Sequence, residues 1–120
     1  MRLASLMVIA GLIVTSSGGI AAADDTYAAI AFSKETGASG WSHRFGTRAG
    51  AEEKALQECG PGCSVVLWVR NQCAGLSVGH GRGYGTYMGA NERIVGDASL
   101  NECLKRTTDC VVKATVCSAE

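Results

Sequence analysis

Hydrophobic and polar positions divide residues 27–118 into short strand-like runs, with two helix-like stretches between them. Tyr27-Ala28-Ala29-Ile30-Ala31-Phe32 is an apolar run of strand length, closed by Lys34-Glu35-Thr36-Gly37. Trp41, His43 and Phe45 then alternate with other residues, and two such runs around a Gly-containing turn predict a β-hairpin. Ala51, Ala55 and Cys59 recur every four residues, the stripe of a helix packed on one face. Thr47 ahead of it is an N-cap residue, whose hydroxyl accepts from a first-turn N–H, and Gly60-Pro61 stops it. Cys63-Ser64-Val65-Val66-Leu67-Trp68-Val69 predicts a third strand.

The same order then recurs. Leu56-Gln57-Glu58-Cys59 returns as Leu100-Asn101-Glu102-Cys103, 44 residues later, and Cys63-Ser64-Val65 is echoed by Cys110-Val111-Val112. At an offset of 46, Ala28, Ile30, Phe32 and Trp41 fall on Ala74, Leu76, Val78 and Tyr87. Asn91 is the second N-cap, and Ile94, Val95, Ala98 and Leu104 are the expected buried side of the second helix. A self-similar chain of this kind predicts one supersecondary unit used twice. The expected fold is α+β. Two ββαβ repeats, about 27–72 and 73–118, are related by a pseudo-two-fold axis, and one or two mainly antiparallel sheets are covered on one side by the helices.

Residues 1–23 have the pattern of a secretion signal. Met1-Arg2 precedes an uncharged run from Leu3 to Val14, and Ala21 and Ala23 form an A-x-A cleavage site. The run is too short for a membrane span, which needs roughly 20 apolar residues. Residues 24–120 are then one compact, disulfide-rich domain, secreted or periplasmic, with no stable membrane insertion. Without Arg2, ten of the eleven basic residues remain against eleven acidic ones, a net charge of −1. That balance gives no surplus to condense on nucleic acid. Cys59, Cys63, Cys73, Cys103, Cys110 and Cys117 are even in number, as three disulfides in an oxidising compartment require. Zinc is the weaker reading, because the Cys103/Cys110 gap exceeds ordinary ligand spacing. Repeat symmetry selects Cys59–Cys63, Cys103–Cys110 and Cys73–Cys117. Cys73 and Cys117 are taken to end equivalent third strands, so that their bridge staples the two units together.

These stretches carry a resemblance. Tyr27–Ser33, the helix ending in Leu56-Gln57-Glu58-Cys59, Val65–Ala74, the Gly81–Gly85 hairpin and Val116-Cys117-Ser118 resemble small exported bacterial proteins grouped as domain of unknown function 4189. The resemblance covers nearly all of residues 27–118. It implies a secreted protein, host-directed in mycobacterial members, and brings no catalytic motif, cofactor or metal with it. Lys113 and Thr115 mark a departure in the third strand of the second unit.

Candidate chemistry is sparse. His43 reads as a sheet residue. His80 and Arg82 lie in Gly79-His80-Gly81-Arg82-Gly83-Tyr84-Gly85, which reads as a β-hairpin tip, since phosphate loops open onto a helix and strand residues follow here. Trp41 and Tyr87 are expected to pack on the helices, or else to anchor a partner with Tyr84. The leading expectation is therefore a non-enzymatic exported protein that binds a host or envelope protein through Trp41, His80, Arg82, Tyr84 and Tyr87. A small hydrolase or ligand-binding enzyme centred on His80 and Arg82 is the alternative, and a structural envelope component the third.

Overall fold

Every residue of Ala28–Phe32 is buried, and so is every residue of Cys73–Ser77. A strand buries both of its faces only when something covers each, and these segments are the central strands of two three-stranded sheets. The computed structural model describes residues 24–120, and the secretion signal expected at residues 1–23 lies outside them. β1 (Tyr27–Phe32) is flanked by β2 (Ser39–Phe45) and β3 (Ser64–Arg70). β4 (Cys73–Val78) is flanked by β5 (Tyr84–Gly89) and β6 (Val111–Cys117), and every pairing is antiparallel. α1 (Arg48–Cys59) packs on the first sheet and α2 (Glu92–Leu104) on the second. Each half is thus a ββαβ unit with the same strand order, as the internal repeat predicts.

The sheets face each other. Ala28, Ile30, Phe32 and Val69 of the first form one apolar cluster with Ala74, Leu76, Ala114 and Val116 of the second. β1 lies against β4, β2 against β6 and β3 against β5. Both helices are consequently on the outside, in four layers: helix, sheet, sheet, helix. The expectation of helices on one side of the strands is corrected here. Each central strand is apolar on both faces, so each sheet needs a cover on the side its partner sheet does not reach.

Residue size sorts by face. Large side chains of β1 and β4 (Ile30, Phe32, Leu76) fill the space between the sheets, while Ala29, Ala31, Gly75 and Ser77 face the helices. Small residues let the helix backbone come close. A Cβ on Gly40 would lie 2.6 Å from the Ala55 carbonyl oxygen, and one on Gly85 would lie 2.6 Å from that of Ser99. Gly40/Gly85 and Ala55/Ser99 are matching positions of the repeat, so both helices dock in the same way. This approach also corrects the buried side of α2. Val95, Ser99 and Cys103 face the sheet, Ala98 is half-buried, and Ile94 and Leu104 are exposed. The larger residues cannot fit where the helix backbone touches Gly75 and Gly85.

The cysteines pair as Cys59–Cys63, Cys73–Cys117 and Cys103–Cys110. Two of these tie a helix end to the following strand. The long bridge does not cross between units, contrary to the expectation, because Cys73 opens β4 instead of ending β3. It faces Cys117 across the β4–β6 pairing and closes the second sheet on itself. Apolar packing joins the units, together with hydrogen bonds at the end where both helices begin. There the Arg44 N–H donates to the Ser118 carbonyl (2.8 Å), the Ser118 N–H to that of Gln72 (2.9 Å) and the Thr26 hydroxyl to the Ser118 hydroxyl (3.0 Å).

Candidate functional site

The two hairpin turns and the two helix-to-strand loops gather at the opposite end, where the rings of Phe32 and Tyr84 meet edge to face at 5.4 Å. The glycine-rich tip is a single 3-10 turn, His80–Arg82, with Gly81 at φ 64°. It is held from behind by the α2–β6 loop. The His80 N–H donates to the Thr108 carbonyl (2.8 Å), and the Thr107 hydroxyl donates to the His80 carbonyl (2.7 Å). The imidazole of His80 is exposed and makes no hydrogen bond with a described residue. Arg82 does something different. Its guanidinium crosses to the β1–β2 turn and donates to the carbonyls of Lys34 (3.2 Å) and Glu35. A guanidinium donating to two backbone carbonyls of the other half is a strut between the halves. Tyr84 is half-buried over Phe32, with the Lys34 ammonium 5.4 Å from its ring centre.

Trp41 and Tyr87 are not equivalent, and this is a correction. Trp41 pairs with Ile30 and Tyr87 with Gly75, while Ile30 corresponds to Leu76, whose partner is Thr86. The offset is 46 for β1 and β4 but 45 for β2 and β5, so the residue matching Tyr87 is Ser42. A one-residue slip exchanges the faces of a strand. Ser42 is buried and its hydroxyl donates to the Ala51 carbonyl at 2.6 Å. Trp41 points away from α1 and stays 48% exposed, and Tyr87, on the α2 side of β5, stays 43% exposed. Neither is packed away as expected. Nor do they share a surface, since β2 lies against β6 and β5 against β3, on opposite sides of the sandwich.

Trp41 has other company. It sits in the half of β2 nearest the turns, on the side shared with β6, whose first residues Val111 and Val112 are 62% and 45% exposed. Opposite Val78 and Ser77, these valines lie on opposite faces of β6, Val111 on the side of Trp41 and Val112 on the side of α2. These were missed in the sequence because a β-branched pair opening a strand looks like core. The signal that could have found them is Lys113, which shows that this stretch of β6 meets water.

Ionisable groups form no further cluster of the catalytic kind among the described residues. Hydrogen bonding from Asn71, and then the Arg70 guanidinium 2.8 Å away, hold the Asp25 carboxyl below its ordinary pKa. Lys105, at 2.8 Å, does the same for Glu102. Both carboxylates are at the surface. Glu92, Cys117 and Glu120 bring ligand atoms within 4.8 Å of one another, but the Cys117 sulfur is bonded to Cys73 and offers no thiolate. That leaves two exposed carboxylates, which do not fit a metal centre.

All six cysteines are oxidised, the state of an oxidising, extracellular type of compartment. No helix among the described residues is long and apolar enough to cross a membrane. No curated protein and no solved structure matches this chain. A family model does, over residues 27–117, a span that begins with β1 and ends with β6. With that match across the whole of the duplicated fold, the chain belongs to the DUF4189 family, a domain of unknown function.

Proposed function

We propose that this chain is an exported protein that works by contact with another protein, a host or envelope protein, through its turn end and the β2–β6 side. The observation that carries this reading is the exposed apolar area there, Trp41 at 48% and Val111 at 62%. Tryptophan is the residue type most enriched among interface anchors, and leaving one half-exposed forgoes burial worth about 1 kcal/mol or more. His80 adds an exposed polar group at the tip, as the rim of such a surface requires. Three disulfides and the hydrogen bonds around the tip fix the backbone in advance, which lowers the ordering cost of association. The secretion-signal pattern of residues 1–23 supports export.

Affinity capture with the purified oxidised protein tests this reading. Wild type is expected to retain a discrete protein partner, Trp41→Ala to lose it and Leu104→Ala, on the outer face of α2, to keep it. Capture that is indifferent to Trp41 removes the β2–β6 side from the binding surface.

A further inference from the structure

Each sheet has two edge strands, and an open edge invites another strand unless something blunts it. Three of the four edges carry a charge, a positive-φ residue or glycines that resist pairing. β2 carries Arg44 at φ 61°, with its N–H bonded to Ser118. β5 contains Gly85 and Gly89, which give a strand partner little to pack on. β6 has an extra residue between the positions opposite Leu76 and Ser77, and that residue is Lys113, exposed on the edge. β3 has the same irregularity at the matching point, between the partners of Ile30 and Ala31, but its extra residue is Val66. No charge interrupts Val65–Val69. No backbone hydrogen bond of residues 64–70 goes anywhere but to β1, among the described residues.

The surroundings of β3 are as uneven as its edge. A groove of about 560 Å³ runs along it, walled by Arg48 and Glu52 of α1 on one face and by Met88 of β5 on the other. The Arg48 guanidinium stacks over the Trp68 ring at 4.2 Å and pairs with Glu52. Arg70, at the strand's end, is paired with Asp25. Every charge on the groove already has an opposite beside it. Met88 is nevertheless 46% exposed.

The geometry points to a second copy of this chain as the occupant, with two β3 strands pairing antiparallel about a two-fold axis and joining the first sheets into one of six strands. An isologous contact must complement itself, and this one does. With Leu67 near the axis, Arg70 comes opposite Ser64, so no like charges meet along the strand. The same rotation reverses α1 relative to its copy and sets Arg48 of each against Glu52 of the other. It also turns Met88 of β5 toward its own equivalent, which buries the exposed thioether. A charged or strongly acidic foreign strand lacks this match. The dimer surface lies on the β3–β5 side, opposite Trp41, so it goes beyond the partner-binding reading and does not depend on it.

Sedimentation of the purified oxidised protein over a range of concentrations tests the dimer. Wild type is expected to show a reversible monomer–dimer equilibrium. Val66→Lys, which places on β3 the residue type β6 carries, should weaken dimerisation at least tenfold with near-ultraviolet circular dichroism unchanged. Because a core-side change at Val66 could unfold the chain, a surface pair provides the second test. Glu52→Arg should weaken the dimer, and Arg48→Glu/Glu52→Arg should restore it. A wild-type monomer at the highest soluble concentration overturns the proposal, and so does a dimer indifferent to both tests. A monomer whose Val65–Val69 amides gain protection only when a foreign protein is added also overturns it, in favour of strand addition by that protein. Loss of the dimer with partner capture intact leaves the Trp41 surface standing, so the two readings fail separately.

Discussion

At matching places in the two halves the same contact is made by different side chains. Ala31 faces Ala55 in the first unit, and in the second the corresponding residues are Ser77 and Ser99, with hydroxyls 2.8 Å apart. Ser99 also donates to the Gly96 carbonyl at 3.0 Å, which makes Ser77 the donor to Ser99. Removing Ser99 strands a buried hydroxyl, whereas removing both leaves what the first half already uses. Ser99→Ala should therefore cost about 1–3 kcal/mol, and Ser77→Ala/Ser99→Ala less than that single change. Urea unfolding of the two variants beside wild type checks the order. A further residue-scale expectation concerns close approach. Gly85→Ala would set a methyl group 2.6 Å from the Ser99 carbonyl oxygen, and should destabilise by about 1–3 kcal/mol. Gly46→Ala has nothing within 4 Å and should be close to neutral in the same assay. Residue correspondence within β1/β4 and along the helices was readable from spacing, since Leu56/Leu100 and Cys59/Cys103 are fixed points. It failed in β2/β5, where the β4–β5 connection is one residue shorter than β1–β2 and composition does not reveal the slip. Trp41 and Tyr87 were matched across it, although Tyr87 lies on the helix side of its strand and Trp41 on the other.

Among elements, the disulfides differ by the loops they close rather than by the units they join. Cys59–Cys63 spans a separation of four residues and Cys73–Cys117 one of 44. Chain-entropy arithmetic assigns about 2 kcal/mol to the first and about 4 to the second. Cys73→Ala/Cys117→Ala should accordingly lower the denaturant midpoint more than Cys59→Ala/Cys63→Ala, and equal midpoints would contradict that ranking. The segment before β1 is anchored differently. Asn71, at φ 53°, accepts from the Thr26 N–H and donates to the Asp25 carboxylate, each at 2.9 Å. The Asp25 pKa is lowered in the fold, so its contribution is present above the ordinary carboxylate value and is lost as pH falls through the lowered one. An NMR titration should show Asp25 protonating below the ordinary aspartate value, with the Thr26 amide shifting in step. A midpoint at the ordinary value would contradict the anchor. The existence and order of all six strands and both helices were legible, because caps and turn residues mark them. The face of α2 was not. Apolar Ile94 and Leu104 look like core until the sheet glycines that exclude them are known.

For the whole molecule, duplication separates the surfaces that hold the fold from those left for other uses. Small residues bring helix to sheet, large ones fill the space between sheets, and neither job needs Trp41, Val111 or Val112. The sequence supports the repeat, the cysteine pairing and the absence of charge surplus. It could not show that β2 meets β6 while β5 meets β3, because which sheet edges come together depends on how the two units pack. For that reason the five residues proposed for binding from sequence divide into a strut (Arg82), a packed ring (Tyr84), two exposed groups toward the turn end (Trp41 and His80) and one, Tyr87, on the other side of the sandwich. The central claim is that the β2–β6 side at the turn end is the working face. Hydrogen–deuterium exchange of the oxidised protein with and without its captured partner tests it most directly. Slowed exchange is expected along residues 39–43, 79–83 and 111–113, with the outer faces of α1 and α2 unchanged. Protection confined to those helical faces, with β2 and β6 exchanging as in the free protein, would contradict it.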